Sequence, residues 1–84
     1  MEWEIIDDKL VNNFKFKLQT ELAYFLVKVA NYADEINHHP DCKIHKAFQL
    51  EITLYTYDKN KITNLDYQLA EKIDDLFFQL RNIN

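Results

Sequence analysis

None of the 84 residues is glycine. Every backbone position that needs a positive φ must therefore carry a side chain, and Asn and Asp tolerate that region best. Candidates are Asp7-Asp8, Asn12-Asn13 and Asn60. The absence also removes whole function classes. A P-loop and a dinucleotide-binding turn both need glycine where the backbone closes on phosphate.

The hydrophobic period changes along the chain and divides it into elements. "WEII" at 3–6 is short and rich in strand formers, and "DDK" follows as a turn. In "LVNNFKFKL", Phe14, Phe16 and Leu18 alternate with Lys15 and Lys17, the period of a half-buried strand. These two pieces predict a hairpin. From Thr20, a candidate N-cap supported by Glu21, the spacing becomes three and four. Leu22, Phe25, Leu26, Val29, Ala33 and Ile36 then form one face of a helix. That helix should end near Asn37, because Pro40 disfavours helical geometry at His39. Residues 43–46 read as an irregular strand or loop.

Residues 48–57, "FQLEITLYTY", return to period two, with Phe48, Leu50, Ile52 and Leu54 on one face. This long stretch is a candidate edge strand for pairing between subunits. "TNLD" at 63–66 resembles a capping box with Asp66 in place of Glu. Leu69, Ala70, Ile73, Leu76, Phe77 and Leu80 then stripe a second helix. The order β-β-α-β-β-α predicts an α+β fold, a four-stranded antiparallel sheet with helices packed on one face. A chain this short makes one domain, spanning 1–84.

The net charge of −4 argues against a broad phosphate-binding surface, so direct nucleic-acid contact and an anionic membrane are not expected. No apolar run reaches the ~20 residues of a membrane span, and the acidic N-terminus is unlike a signal peptide. The one cysteine, Cys42, cannot form an internal disulfide. A cytoplasmic protein is the expectation.

The chemistry concentrates in "ADEINHHPDCKIH" at 33–45, which holds all three histidines and Cys42. These ligand types suit zinc, but the spacing is not a known metal pattern. His38 and His39 also fit a surface turn after a helix C-terminus. A third reading uses them as proton donor and acceptor, with Asp34, one helical turn before His38, polarising an imidazole.

"ANYADEINHHPD" resembles the signature of the pterin-4a-carbinolamine dehydratases, in which an Ala-Glu-x-x-Asn-His-His-Pro segment ends the first long helix. Four more blocks follow the same family in the same order: "WEIIDDKLVNNFKF", "LAYFLVKVA", "ITLYTYD" and "ITNLDYQLAEKID". The resemblance covers nearly the whole chain, which begins at the first strand, where longer members carry an extra N-terminal helix. It implies dehydration of 4a-hydroxytetrahydropterin to quinonoid dihydropterin, with the pterin as substrate and no cofactor or metal. It also implies a homodimer or homotetramer, and, by analogy with some animal members, binding to a transcription factor.

Carried over by position, His38 and His39 match the catalytic pair, and Asp34 stands where an active-site acid, usually Glu, is found. Pro40 completes the motif. Asp66 matches the acid after the last turn, although helix capping is the simpler role for it. Tyr57 stands in place of a third histidine. Cys42 and Ala47 stand where aromatic residues are usual, and the stretch from Pro40 to "ITL" is one residue longer than usual. A strand bulge could bring Phe48 into use as a stacking wall, and His45 is a spare imidazole. The other reading that the missing third histidine suggests is a non-catalytic dimerisation or binding module on the same fold.

Overall fold

The computed structural model describes residues 2–82. Its elements are β1 (Glu4–Ile6), β2 (Lys9–Lys15), α1 (Gln19–Ile36), β3 (Asp41–His45), β4 (Gln49–Leu54) and α2 (Asn64–Arg81). The strands form one antiparallel sheet in the order β1-β2-β4-β3. The expected α+β architecture and element order are therefore observed. No helix among the described residues is long and apolar enough to cross a membrane.

Side-chain alternation decides which face is covered. Leu10 and Phe14 of β2 share a face with Leu50, Ile52 and Leu54 of β4, and all five are buried. Leu22, Phe25 and Val29 of α1 and Leu69, Ala70 and Ile73 of α2 meet them from above. Phe14, Phe16, Phe25 and Phe77 pack with ring centroids 5.0–5.6 Å apart. Each such ring, taken out of water, stabilises the fold by roughly 1.5–3 kcal/mol before entropy is counted.

The glycine-free turns follow the expectation only in part. Asp7 and Asp8, at φ 51° and 66°, make the two-residue turn between Ile6 and Lys9, and Asn60 also takes a positive φ. Asn12 and Asn13 do not; they are ordinary members of β2. The remaining left-handed positions are Asn37, Lys46 and Ala47.

Four further expectations are corrected. Leu18, not Thr20, is the N-cap of α1, and Glu21 Oε1 accepts from the backbone N–H groups of Lys17 and Leu18. The segment 41–45 is a regular strand, because Cys42 and Ile44 alternate with Lys43 in unbroken register against β4. No bulge interrupts the 41–45/49–53 ladder, and residues 46–48 form the turn between the two strands. The edge strand is consequently β3, while β4 is central and pairs on both sides.

At the other end of the sheet, side chains occupy part of the flank. β1 spans three residues, so β2 continues past it with an open flank. There the Asn13 N–H donates to its neighbour Asn12 Oδ1 at 2.8 Å, and Arg81 donates to the Lys15 carbonyl at 3.3 Å.

Candidate active site

The exit from α1 creates the site. Asn37 takes the left-handed conformation, φ 53° and ψ 44°, and the His38 N–H donates back to the Ala33 carbonyl at 3.1 Å. This helix-ending turn sends consecutive residues in different directions. His38 turns inward, with only 12% of its side chain exposed, and His39 stays outside at 54%.

Each imidazole meets its own carboxylate. His38 Nε2 lies 2.6 Å from Oδ1 of Asp66, and His39 Nε2 lies 2.8 Å from Oδ1 of Asp34. The proximity of Asp34 to an imidazole holds, but to His39 and not to His38. Both rings use Nε2 for the carboxylate. Against a carboxylate in its ionised form, which only accepts, the tautomer that fits carries its hydrogen on Nε2 and leaves Nδ1 for other partners.

Asp66 is completely buried. Its Oδ2 accepts from the Thr63 backbone N–H at 2.9 Å and from the Thr56 hydroxyl at 2.7 Å. The Thr63 hydroxyl is 2.7 Å from that of Thr56, which places it to donate into the same chain. Capping α2 and holding His38 are thus two tasks of one carboxylate. A buried charge needs such partners, since an uncompensated one costs several kcal/mol, of order ~3–5. Thr56 and Thr63 were not singled out from sequence as site residues. The available signal was parity: Thr56 continues the inward series Leu50, Ile52, Leu54 and is a polar residue at a core position.

Tyr57 points the other way. Its phenol donates to Asp41 Oδ2 at 2.6 Å. That hydrogen bond pushes the phenol above its ordinary pKa, with nearby Lys9 acting in the opposite sense. Tyr57 is therefore a hydrogen-bond donor at neutral pH and not a base. Pro40 bridges His39 and β3 through a trans peptide.

Phe48 is not near the histidines. It ends the turn at the far end of β3, five positions before Thr53, the β4 partner of Asp41, or roughly 16 Å from the exit of the turn that carries His38 and His39, at ~3.3 Å per residue. It is also 45% exposed and not part of the core face on which alternation put it. A register change that would make it a wall beside His38 does not occur. His45 shares that far end, 3.9 Å from Glu51. Cys42 lies along the exposed β3 edge, yet local desolvation, and then the charge of Asp41, push its thiol up to about 11. Among the described residues no three His, Cys, Asp or Glu side chains converge as a metal site.

A cavity of about 380 Å³ opens beside His38, walled by Asn37, Thr56, Asp58, Lys59 and Thr63. That volume is within the range of small-molecule sites, ~300–1,000 Å³. A larger one, about 560 Å³, lies against Phe14, Asp74, Phe77 and Phe78. It contains no imidazole, so the smaller cavity is the chemical candidate.

With this geometry in view, the comparisons with known proteins are specific. The family model described as Pterin 4 alpha carbinolamine dehydratase matches residues 1–76. A Saccharolobus islandicus protein named "Putative pterin-4-alpha-carbinolamine dehydratase" is 40% identical over 78 residues, 89% of this chain and 77% of the relative. A Prochlorococcus marinus protein of the same name is 37% identical over 78 residues, covering 92% and 79%. The crystal structure of a transcriptional coactivator/pterin dehydratase from Brucella melitensis superposes with a TM-score of 0.83 at 29% identity, over 88% of this chain and 80% of that one. A pterin dehydratase-like protein, described as a RuBisCO assembly factor in the alpha-carboxysome, shares the fold with a TM-score of 0.72 at 19% identity, covering 90% and 87%.

Proposed function

The chain belongs to the pterin 4 alpha carbinolamine dehydratase family, and from that premise we propose that it dehydrates a 4a-hydroxytetrahydropterin to the quinonoid dihydropterin in pterin recycling. The observation that carries this reading is the pair of imidazole–carboxylate contacts, His38 with Asp66 and His39 with Asp34, on one turn.

The reaction breaks the bond between C4a and the hydroxyl oxygen and removes a ring N–H proton. A protonated imidazole donates to the departing oxygen, which leaves as water. A neutral imidazole takes the ring proton, and the electrons of that N–H bond complete the new unsaturation. One proton enters and one leaves, so two imidazoles in opposite states suffice. In this reading His38 and His39 are the catalytic residues, acting through Nδ1. Asp66 and Asp34 are positioning residues that orient the rings, and the cavity beside His38 receives the pterin. The pterin is the substrate, and neither metal nor further cofactor takes part. A cytoplasmic homodimer or homotetramer belongs to the same reading, with the β3 edge as a surface for pairing.

A second reading is favoured by Tyr57. A phenol committed to Asp41 supplies no third proton-transfer group, as a binding module that has left catalysis would have it. One relative by fold is described as a RuBisCO assembly factor and another as a transcriptional coactivator/pterin dehydratase, names that include a role in assembly or binding.

One experiment separates the two. Freshly generated 4a-hydroxytetrahydropterin decays with a change in ultraviolet absorbance that can be followed with and without the protein. Acceleration that is lost in His38→Ala and His39→Ala is the expected result. No acceleration by folded wild-type protein overturns the dehydratase and leaves the binding module.

A further inference from the structure

The turn from Asn37 to Asp41 is held from three directions. His38 is tied to α2 through Asp66, and His39 to α1 through Asp34. The third tie is at the exit, where Asp41 accepts the Tyr57 phenol at 2.6 Å. Tyr57 is itself braced. Its ring meets that of Tyr55 edge-on at 5.0 Å, and Lys9 Nζ from β2 stands 5.1 and 5.2 Å from the two ring centres. The end of the histidine turn is thereby connected to the central strands rather than left to the edge strand alone.

Tyr57 is itself 55% exposed, but its bond is braced by Tyr55 and Lys9 and adds to the strand pairing of Asp41 with Thr53. Without it, the side-chain contact left to His39 is Asp34, which is 74% exposed. Exposed ion pairs contribute little and fix geometry poorly. We infer that Tyr57 is a positioning residue: its hydrogen bond to Asp41 fixes the exit of the histidine turn and so the place of His39 beside the substrate. The inference rests on the dehydratase reading for its catalytic consequence, but its structural half stands apart.

The test uses the full chain with Tyr57→Phe, Asp41→Ala and Asp41→Asn, and Tyr24→Phe, an exposed α1 tyrosine, as control. Dehydration rate is measured beside hydrogen exchange of the amides at 39 and 41–43. Tyr57→Phe and Asp41→Ala should each lower kcat/KM roughly 10-fold or more, as displaced catalytic groups do. The double variant should be no worse than either single, because one bond is removed only once. Asp41→Asn, which retains an oxygen to accept the phenol, should stay within about threefold of wild type. The same amides should exchange several-fold faster in the two disruptive variants and not in the control.

Full activity in Tyr57→Phe, or additive losses in the double variant, overturns the inference. An inactive wild type would sink the dehydratase reading alone. Exchange would then decide the clamp, and unchanged exchange in Tyr57→Phe would overturn it as well.

Discussion

Nε2 of His38 lies 2.6 Å from Oδ1 of Asp66, a carboxylate with no solvent exposure, while the adjacent His39 meets a carboxylate that is 74% exposed. Two similar contacts thus operate in opposite surroundings. Asp66→Ala would strand His38, Thr56 and the Thr63 N–H, and should cost about 3–5 kcal/mol of stability. His39→Ala should cost under about 0.5 kcal/mol, yet lower the dehydration rate by roughly 10²–10⁴-fold. Urea unfolding beside the kinetic assay checks both. A loss below about 1 kcal/mol in Asp66→Ala would contradict the view that its network matters to the fold.

A pH effect is expected roughly two turns beyond Asp66 along α2. Desolvation raises the Asp74 carboxyl above its ordinary pKa, against the hydrogen bond from the Trp3 indole N–H. A raised folded-state value means that the folded protein holds the proton more tightly than the unfolded chain. The stability this contributes is complete below the ordinary carboxylate range and is lost as pH rises through the folded value. Asp74→Asn keeps an oxygen for the indole and removes the charge. It should match wild type in acid and exceed it at pH 7 by on the order of 0.5 kcal/mol, a figure discounted because the group is partly open to water. Thermal unfolding at the two pH values decides, and a gap that does not change with pH rejects the assignment.

The turn after β3 offers a stability gain. Ala47 sits at φ 65° and has no side-chain group to satisfy the backbone there. Left-handed geometry costs a residue with a Cβ roughly 1–2 kcal/mol, of which the greater freedom of an unfolded glycine returns part. Ala47→Gly should therefore stabilise the protein by about 0.5–1 kcal/mol, read as a higher urea midpoint with unchanged slope. A destabilised variant would mean that this backbone is not strained.

The elements that sequence placed correctly are those whose period is enforced by burial. Leu22, Phe25, Val29 and Ala33 are spaced to cover a sheet, and no other arrangement buries them all. The third strand has its place in the order but reads as irregular from sequence, because its turn is built from Lys46 and Ala47, residues that announce no turn. Phe48 was misplaced for the same reason, since alternation counts residues and cannot sense where a turn has used one. The carboxylate partners were half legible. Helical spacing brings Asp34 near the end of α1, but the left-handed step at Asn37 swings His38 away and returns His39 to it. The approach of Asp66 to His38 joins residues 28 apart and follows from how α2 crosses α1, which no local pattern encodes.

The side-chain stoppers on β2 set a limit on how copies of this chain can associate. One flank of the sheet ends in a three-residue strand, with Asn12 and Arg81 occupying backbone groups beyond it, while the β3 flank offers five residues. For strand addition the β3 flank is therefore the longer and less obstructed edge. Two copies joined there β3 to β3 would meet around a two-fold axis, each strand using up the open edge of the other.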